Sequence, residues 1–347
     1  MKFVIRTNKS VRQLKWCSLV LLTLGMHTGA FASSSIDAQC PSDDFAEFVK
    51  VFASQPEIQK AFIASPVEEI RVVFDGDKPK VVKRKLKTLD ATELSVLIPE
   101  KAGESNLTIK VELPNKVIVR DQVGGFLKIF VFKNDNCWVL SRVEDWSLEN
   151  VLEGVARTEK LSPGERELKK GVWFDRLANH ASPESGVYLY AAALDSYLAG
   201  AQQGSPQAAL SAAGISLSGQ APRLDNTKIV DLLVAASKSI PDAGVALANF
   251  YCDEGEYDDR RVCINPQQSM AALESAARRG SIDALSQLGQ VYEVGNIVPA
   301  DLSRAMACYQ EVQKMDSESG TRGVEHLAAQ GVVADNSTQC LKAGSFR

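Results

Sequence analysis

Histidine is scarce in this chain of 347 residues: there are three, and beyond the N-terminal segment only His180 and His326. A Ser-His-Asp triad or a metal–histidine centre needs partners converging on the imidazole. The two histidines fall in separate helical contexts and read as surface or helix-end residues, so neither centre has a footing here. No C-x-x-C pair occurs, which excludes a thioredoxin-like redox centre. A phosphate loop is missing too, because "VGGF" around Gly124 and Gly125 lacks both the lysine and the following helix. No metal and no cofactor are therefore expected.

Long apolar runs are confined to the start of the chain. "MKFVIRTNKSVRQLKWCSLVLLTLGMHTGAFASSS" sets five basic side chains ahead of an apolar stretch too short to span a bilayer comfortably, then small residues at Ala30 and Ala32. This is the pattern of a secretory signal peptide. Residues 1–32 are expected to be removed, leaving a periplasmic or secreted chain that starts at Ser33, and no cysteine follows the site to carry a lipid anchor. No later run approaches about 18 consecutive apolar residues, so no integral membrane segment is expected after cleavage. Basic charge is also in deficit. Without the five basic residues of the leader, 34 Lys and Arg stand against 43 Asp and Glu, a net charge of −9, which argues against nucleic acid as a partner.

Six cysteines remain: Cys40, Cys137, Cys252, Cys263, Cys308 and Cys340. An even number in an exported chain points to disulfides, with 15 possible connectivities for six cysteines. Neighbourhood narrows them to three local pairs: Cys40 with Cys137 in the first half, Cys252 with Cys263 in one loop, and Cys308 with Cys340 around the last helical segments.

Two periodicities divide the chain. "SDDFAEFVKVFASQPEIQKAFI" repeats Phe45, Phe48, Phe52, Ile58 and Phe62 at helical spacing behind the cap candidates Ser42 and Asp43, and it breaks near Pro56. The runs that follow ("EEIRVVFD", "PKVVKRKLKTL", "LTIKVELP", "KVIVRD", "FLKIFVFKND" and "CWVLSRVEDWSL") alternate or are β-branched and read as strands, the last two as a hairpin around "KNDN". The expectation is one helix followed by a mostly antiparallel sheet over residues 33–150. In its order of elements this half resembles the cystatin-like or nuclear-transport-factor-like α+β cone. After a linker at residues 151–165 the composition turns to alanine, leucine, serine and glycine.

From there "AALSAAGISLSG", "AGVALANFYCDEG" and "DALSQLGQVYEVG" superpose Ala209, Ala243 and Ala284, and also Ala213, Leu247 and Leu288, at offsets of 34 and 41 residues. Each is followed by a second helical stretch. Two helices per unit at a period near 34 mark a tetratricopeptide-type solenoid. The pattern Ala284-x-x-x-Leu288-Gly289-x-x-Tyr292-x-x-Gly295, with Asp301, Ala305 and Tyr309, resembles the Sel-like repeat. Residues 166–343 are thus expected to form a short α-solenoid of helix pairs, with a degenerate unit begun near Glu165 and a terminal cap at "GTRGVEHLAAQG". The fold class is multidomain: α+β first, then all-α.

The longer offset exceeds the shorter by seven, and the excess lies in "YCDEGEYDDRRVC" between the two helices of one unit. A disulfide from Cys252 to Cys263 would clip that insertion. The alternative is a calcium site from Asp253, Glu254, Glu256, Asp258 and Asp259, although the D-x-D-x-D-G-x5-E order is absent.

The resemblance to Sel-like repeats implies a protein-binding adaptor whose concave face holds a protein partner, with the role of immunity or inhibitory partner of a secreted effector as a narrower version. In such solenoids the first helix of each unit lines the concave face, which nominates Asn249, Tyr251, Gln287, Gln290 and Glu293; alternatively Tyr251 packs between helices like Tyr292. A competing class is an enzyme or small-molecule binder in the cone, with Phe126, Trp138 and Trp146 lining a pocket and Asp121, Glu144 and Asp145 doing acid–base work. Finally, "KPKVVKRKLK" puts Lys83, Lys85 and Lys87 on one strand face, read either as a solvated face or as a patch for an acidic partner or anionic lipid headgroups.

Overall fold

The computed structural model describes residues 39–341, except 77, 105, 122–124, 149–151, 153, 155–158, 257–261 and 336. The expected leader, part of the expected linker, Gly124, Asp258 and Asp259 lie outside the described residues.

Helix α1 (Phe45–Ser54) starts where the Asp44 carboxylate accepts from the Glu47 N–H at 2.9 Å, and it buries Phe45, Phe48 and Phe52 on one stripe. The chain breaks at Gln55, and α2 (Pro56–Ala61) begins with its proline in the first turn, where the missing N–H leaves no bond unmade. Strands β1 (Ile63–Asp75) and β2 (Lys78–Leu86) form an antiparallel pair. Between β2 and the next strand come α3 (Ala91–Leu94), a 3-10 turn and α4 (Pro99–Glu104), which sequence periodicity did not signal because none exceeds six residues. Then follow β3 (Thr108–Glu112), β4 (Lys116–Arg120), β5 (Leu127–Asp135) and β6 (Cys137–Asp145). The β5–β6 hairpin turns at Asn136, whose φ of 59° lies in the left-handed region that asparagine tolerates.

The sheet order is β2-β1-β6-β5-β4-β3. Every pairing is antiparallel except β1 with β6, so the sheet is mixed: the last strand returns to the middle and lies parallel to the first.

Alternation along β5 divides its side chains between two cores. Phe132 meets Phe45 and Phe52 of α1 at centroid distances of 5.4 and 5.3 Å. Leu127, Ile129 and Val131 point to the opposite face and share one apolar cluster with Trp173, Phe174 and Leu177 from beyond residue 160. The sheet is thus covered by α1 on one side and by the start of the helical array on the other.

That array is α5 (Pro163–Ala178), α6 (Pro183–Gln202), α7 (Pro206–Leu217), α8 (Asn226–Ser237), α9 (Ala243–Asp253), α10 (Pro266–Arg278), α11 (Ile282–Val294), α12 (Leu302–Met315) and α13 (Ser317–Ala329). Three helices start alike, with a serine cap and a proline in the first turn, at Ser162, Ser182 and Ser205. The pairs close through glycine. A Cβ on Gly289 would sit 2.5 Å from the Tyr309 ring of α12, and one on Gly171 would sit 2.5 Å from the Tyr197 ring of α6. The degenerate first pair therefore uses the same notch as the best-matching one. Its signal was in the sequence: Gly171 precedes Phe174 by the interval that separates Gly289 from Tyr292.

All three local cysteine pairs are disulfides. Cys40–Cys137 closes 97 residues, Cys252–Cys263 closes 11, and Cys308–Cys340 closes 32.

Candidate functional site

The first helices of the last units, α9, α11 and α13, carry a row of polar side chains that bond to one another. Asn249 is exposed on α9, and its amide oxygen accepts from the Gln287 side-chain N–H of α11. One helical step along α11, Gln290 is exposed to solvent. A further step on, Glu293 accepts the Tyr309 hydroxyl at 2.7 Å through Oε2, while its Oε1 lies 3.1 Å from Nε2 of His326 on α13. Burial, and then the bond to Glu293, raise the Tyr309 pKa, so this hydroxyl stays protonated and keeps donating.

Four of the five nominated residues, Asn249, Gln287, Gln290 and Glu293, thus lie on successive first helices, and His326 and Tyr309 join them. Sequence reading set His326 aside as a surface residue because its partner stands on a different helix. Tyr251 is half-buried and packs against the core that reaches down to the sheet. Its aligned counterpart Tyr292 is 4% exposed, with the Arg304 guanidinium 4.3 Å above its ring.

In the clipped loop two of the acidic residues, Asp253 and Glu254, serve the chain itself. The Asp253 carboxylate accepts from the Gly255 N–H at 2.7 Å, and Glu254 accepts from Asn226 at 2.8 Å through its carboxylate and from Arg223 at 2.7 Å through its carbonyl.

The three aromatic residues nominated in the sheet have separate surroundings. Trp138 packs tilted against Phe45, with ring centroids 4.8 Å apart, and donates to the Asp43 carbonyl, tying down the segment that holds Cys40. Trp146 is 1% exposed in the core facing the helical array and donates to Glu144 at 3.0 Å. Phe126 lines a cavity of about 10 Å³ between β4, β5 and the first helix pair, large enough for about one water.

The three carboxylates nominated for acid–base work also have local partners. Asp121 accepts from the Gly125 and Phe126 N–H groups, both at 3.0 Å. Glu144 pairs with Arg142 at 2.8 Å. Asp145, the next residue of the strand, projects to the other face, where it meets Lys128 at 3.3 Å. Adjacent strand residues on opposite faces cannot share one reacting atom.

Two charged groupings were not foreseen. Lys128, 8% exposed, bonds to Glu93 of α3 as well as Asp145, and Arg71 joins Glu93 at 3.2 Å. Its sequence signal was a lysine interrupting "FLKIFVF". At the junction of sheet and helices, Arg120 pairs with Asp195 at 3.1 Å and the buried Lys170 with Glu167 at 2.6 Å. Burial raises the Asp195 pKa and Arg120 opposes that shift.

Antiparallel helix pairs stacked in sequence, two of them closed by a glycine against an aromatic ring, form a helical-repeat array preceded by an α+β sheet. No protein-family model and no curated protein matches the chain. Among solved structures it is similar to a protective antigen of uropathogenic Escherichia coli that displays an SLR fold, at 19% identity and a TM-score of 0.42, over 53% of this chain and 37% of that one. A Sel1 repeat protein from Oxalobacter formigenes is similar at 18% identity and a TM-score of 0.39, over 54% of this chain and 78% of that one.

Proposed function

We propose that this is an exported, periplasmic adaptor that binds a protein partner on the face formed by α9, α11 and α13, and that it performs no catalysis. The observation that carries the reading is the row Asn249–Gln287 and Glu293–His326. Its side chains are held in place by bonds between successive helices, so little rotamer entropy remains to be lost on binding. The leader-like N-terminus and the three disulfides support an oxidising compartment.

Replacing Gln287 and Gln290 together by arginine is expected to reduce capture of the partner from a periplasmic extract at least 10-fold, with the melting temperature nearly unchanged. Capture of the same protein at undiminished yield would remove this face from consideration.

A further inference from the structure

The face of the sheet that packs on the helical array is covered only in part. Phe74 and Val81 lie beneath the helices, with Phe74 5.3 Å from the Trp173 ring. Further along β2 the same face carries Lys83 and Lys85, both exposed, and Lys87 follows just past the strand end. Beside them, over the adjoining ends of β1, β5 and β6, lies an open trough of about 500 Å³. This volume falls in the range of sites that hold ligands. Ala64, Pro66 and Val139 supply its apolar lining, with Lys85 on one flank and Lys133 on the other.

We propose that this trough binds an acidic, extended polypeptide segment, distinct from the partner of the helical face. Among the described residues no ion pair holds Lys83, Lys85, Lys87 or Lys133, whereas the neighbouring Arg84 on the other face of β2 is paired with Glu69 at 3.0 Å. Lys85 and Lys133 line the depression and Lys83 and Lys87 stand next along the same face of β2, so unpaired ammonium groups outnumber the two lining carboxylates, Glu68 and Asp135, and attract an acidic segment. Lysines on an edge strand commonly guard it against pairing with other chains. That explanation fits Lys83 and Lys85 on the edge strand β2; Lys133 stands on β5 just past the stretch paired with β4 and faces the trough from its other flank.

The shape selects the occupant. From β2 to β5 the trough crosses three strand spacings, about 14 Å, too wide for a single inorganic anion to touch both flanks. A concave surface also disfavours the flat headgroup plane of a membrane. Glu68 and Asp135, which lie in the same lining, can accept hydrogen bonds from peptide N–H groups.

The test uses the full mature chain and a fluorescein-labelled nonapeptide of alternating Glu and Val, read by anisotropy at 50 and 300 mM NaCl. The Glu peptide is expected to bind at least 10-fold more tightly than its Gln analogue and to weaken with salt. A K83E/K85E/K133E variant is expected to lose at least 10-fold for the Glu peptide and to gain binding of a Lys–Val peptide, which a misfolded protein would not do. Equal affinity for Glu and Gln peptides, an unchanged variant, or retention by phosphatidylglycerol vesicles in place of the peptide would each overturn the proposal.

Discussion

In the sheet half the chain is tied by a disulfide across 97 residues, from a segment ahead of α1 to the turn that opens β6. In the helical half the two disulfides close 11 and 32 residues, each within or beside one helix pair. The same contrast runs through the packing. Phe132 of β5 meets the phenylalanines of α1 across the whole length of the sheet domain, whereas Tyr309 is gripped between Gly289 and Gly323 on the two helices adjacent to its own. One half is held by contacts far apart in sequence and the other by contacts repeated between neighbours, as expected for a solenoid.

The largest test of this contrast is to remove the disulfides one at a time. Loop-closure entropy predicts losses of about 4.7 kcal/mol for Cys40–Cys137, about 3.7 for Cys308–Cys340 and about 2.8 for Cys252–Cys263. Paired Cys→Ser variants melted in urea should follow that order. If the Cys252–Cys263 variant lost most, the clipped loop would have to contribute native packing beyond its closure.

A smaller effect separates glycines within the helical half. Gly289→Ala would place a Cβ against a ring that Gly323 confines on its other side, so it is expected to destabilise by about 2 kcal/mol. Gly214→Ala, where nothing lies within 4 Å of the added carbon, should instead stabilise by about 0.5–1 kcal/mol. Chemical denaturation of both variants decides it. Equal effects would show that the notch tolerates a methyl group and that helix propensity alone governs these positions.

The smallest effect concerns a tyrosine at the junction of the halves. Tyr188 of α6 is pushed up to about 12 by burial first and then by its hydrogen bond to Glu112 of β3. A raised pKa means that the contribution of the neutral hydroxyl is complete below the ordinary value near 10 and is lost as pH rises through about 12. Tyr188→Phe should therefore remove ionisation amplitude at 295 nm from the region near pH 12 and leave the step near pH 10 unchanged. Loss of amplitude at pH 10 would mean that the hydroxyl is solvated and that the junction opens there.

The sequence made the helical half legible because its contacts recur at fixed offsets. The superposition of Ala209, Ala243 and Ala284 located three first helices, and the cysteine neighbourhoods located all three bridges. Strands were equally visible from alternation, yet their partners were not: nothing in "EEIRVVFD" distinguishes a parallel neighbour in β6 from an antiparallel one. Of the residues proposed to bind a partner, those at aligned repeat positions could be nominated from the repeat pattern. His326 could not, because its partner Glu293 is one helix pair away and no spacing rule joins them.

By itself the sequence determined the longer helices and the strands, since period, caps and turn residues act over a few positions, but not the short helices between β2 and β3. It also determined which cysteines join. Only the tertiary structure decided that the sheet and the helices share a core. Leu127, Ile129 and Val131 find Trp173, Phe174 and Leu177 because both surfaces are apolar, and burial by hydrophobic contact is non-directional, leaving no residue code for the partner. The same packing decided which end of the sheet remained open to solvent, and with it that Lys85 of β2 and Lys133 of β5 came to flank a single trough.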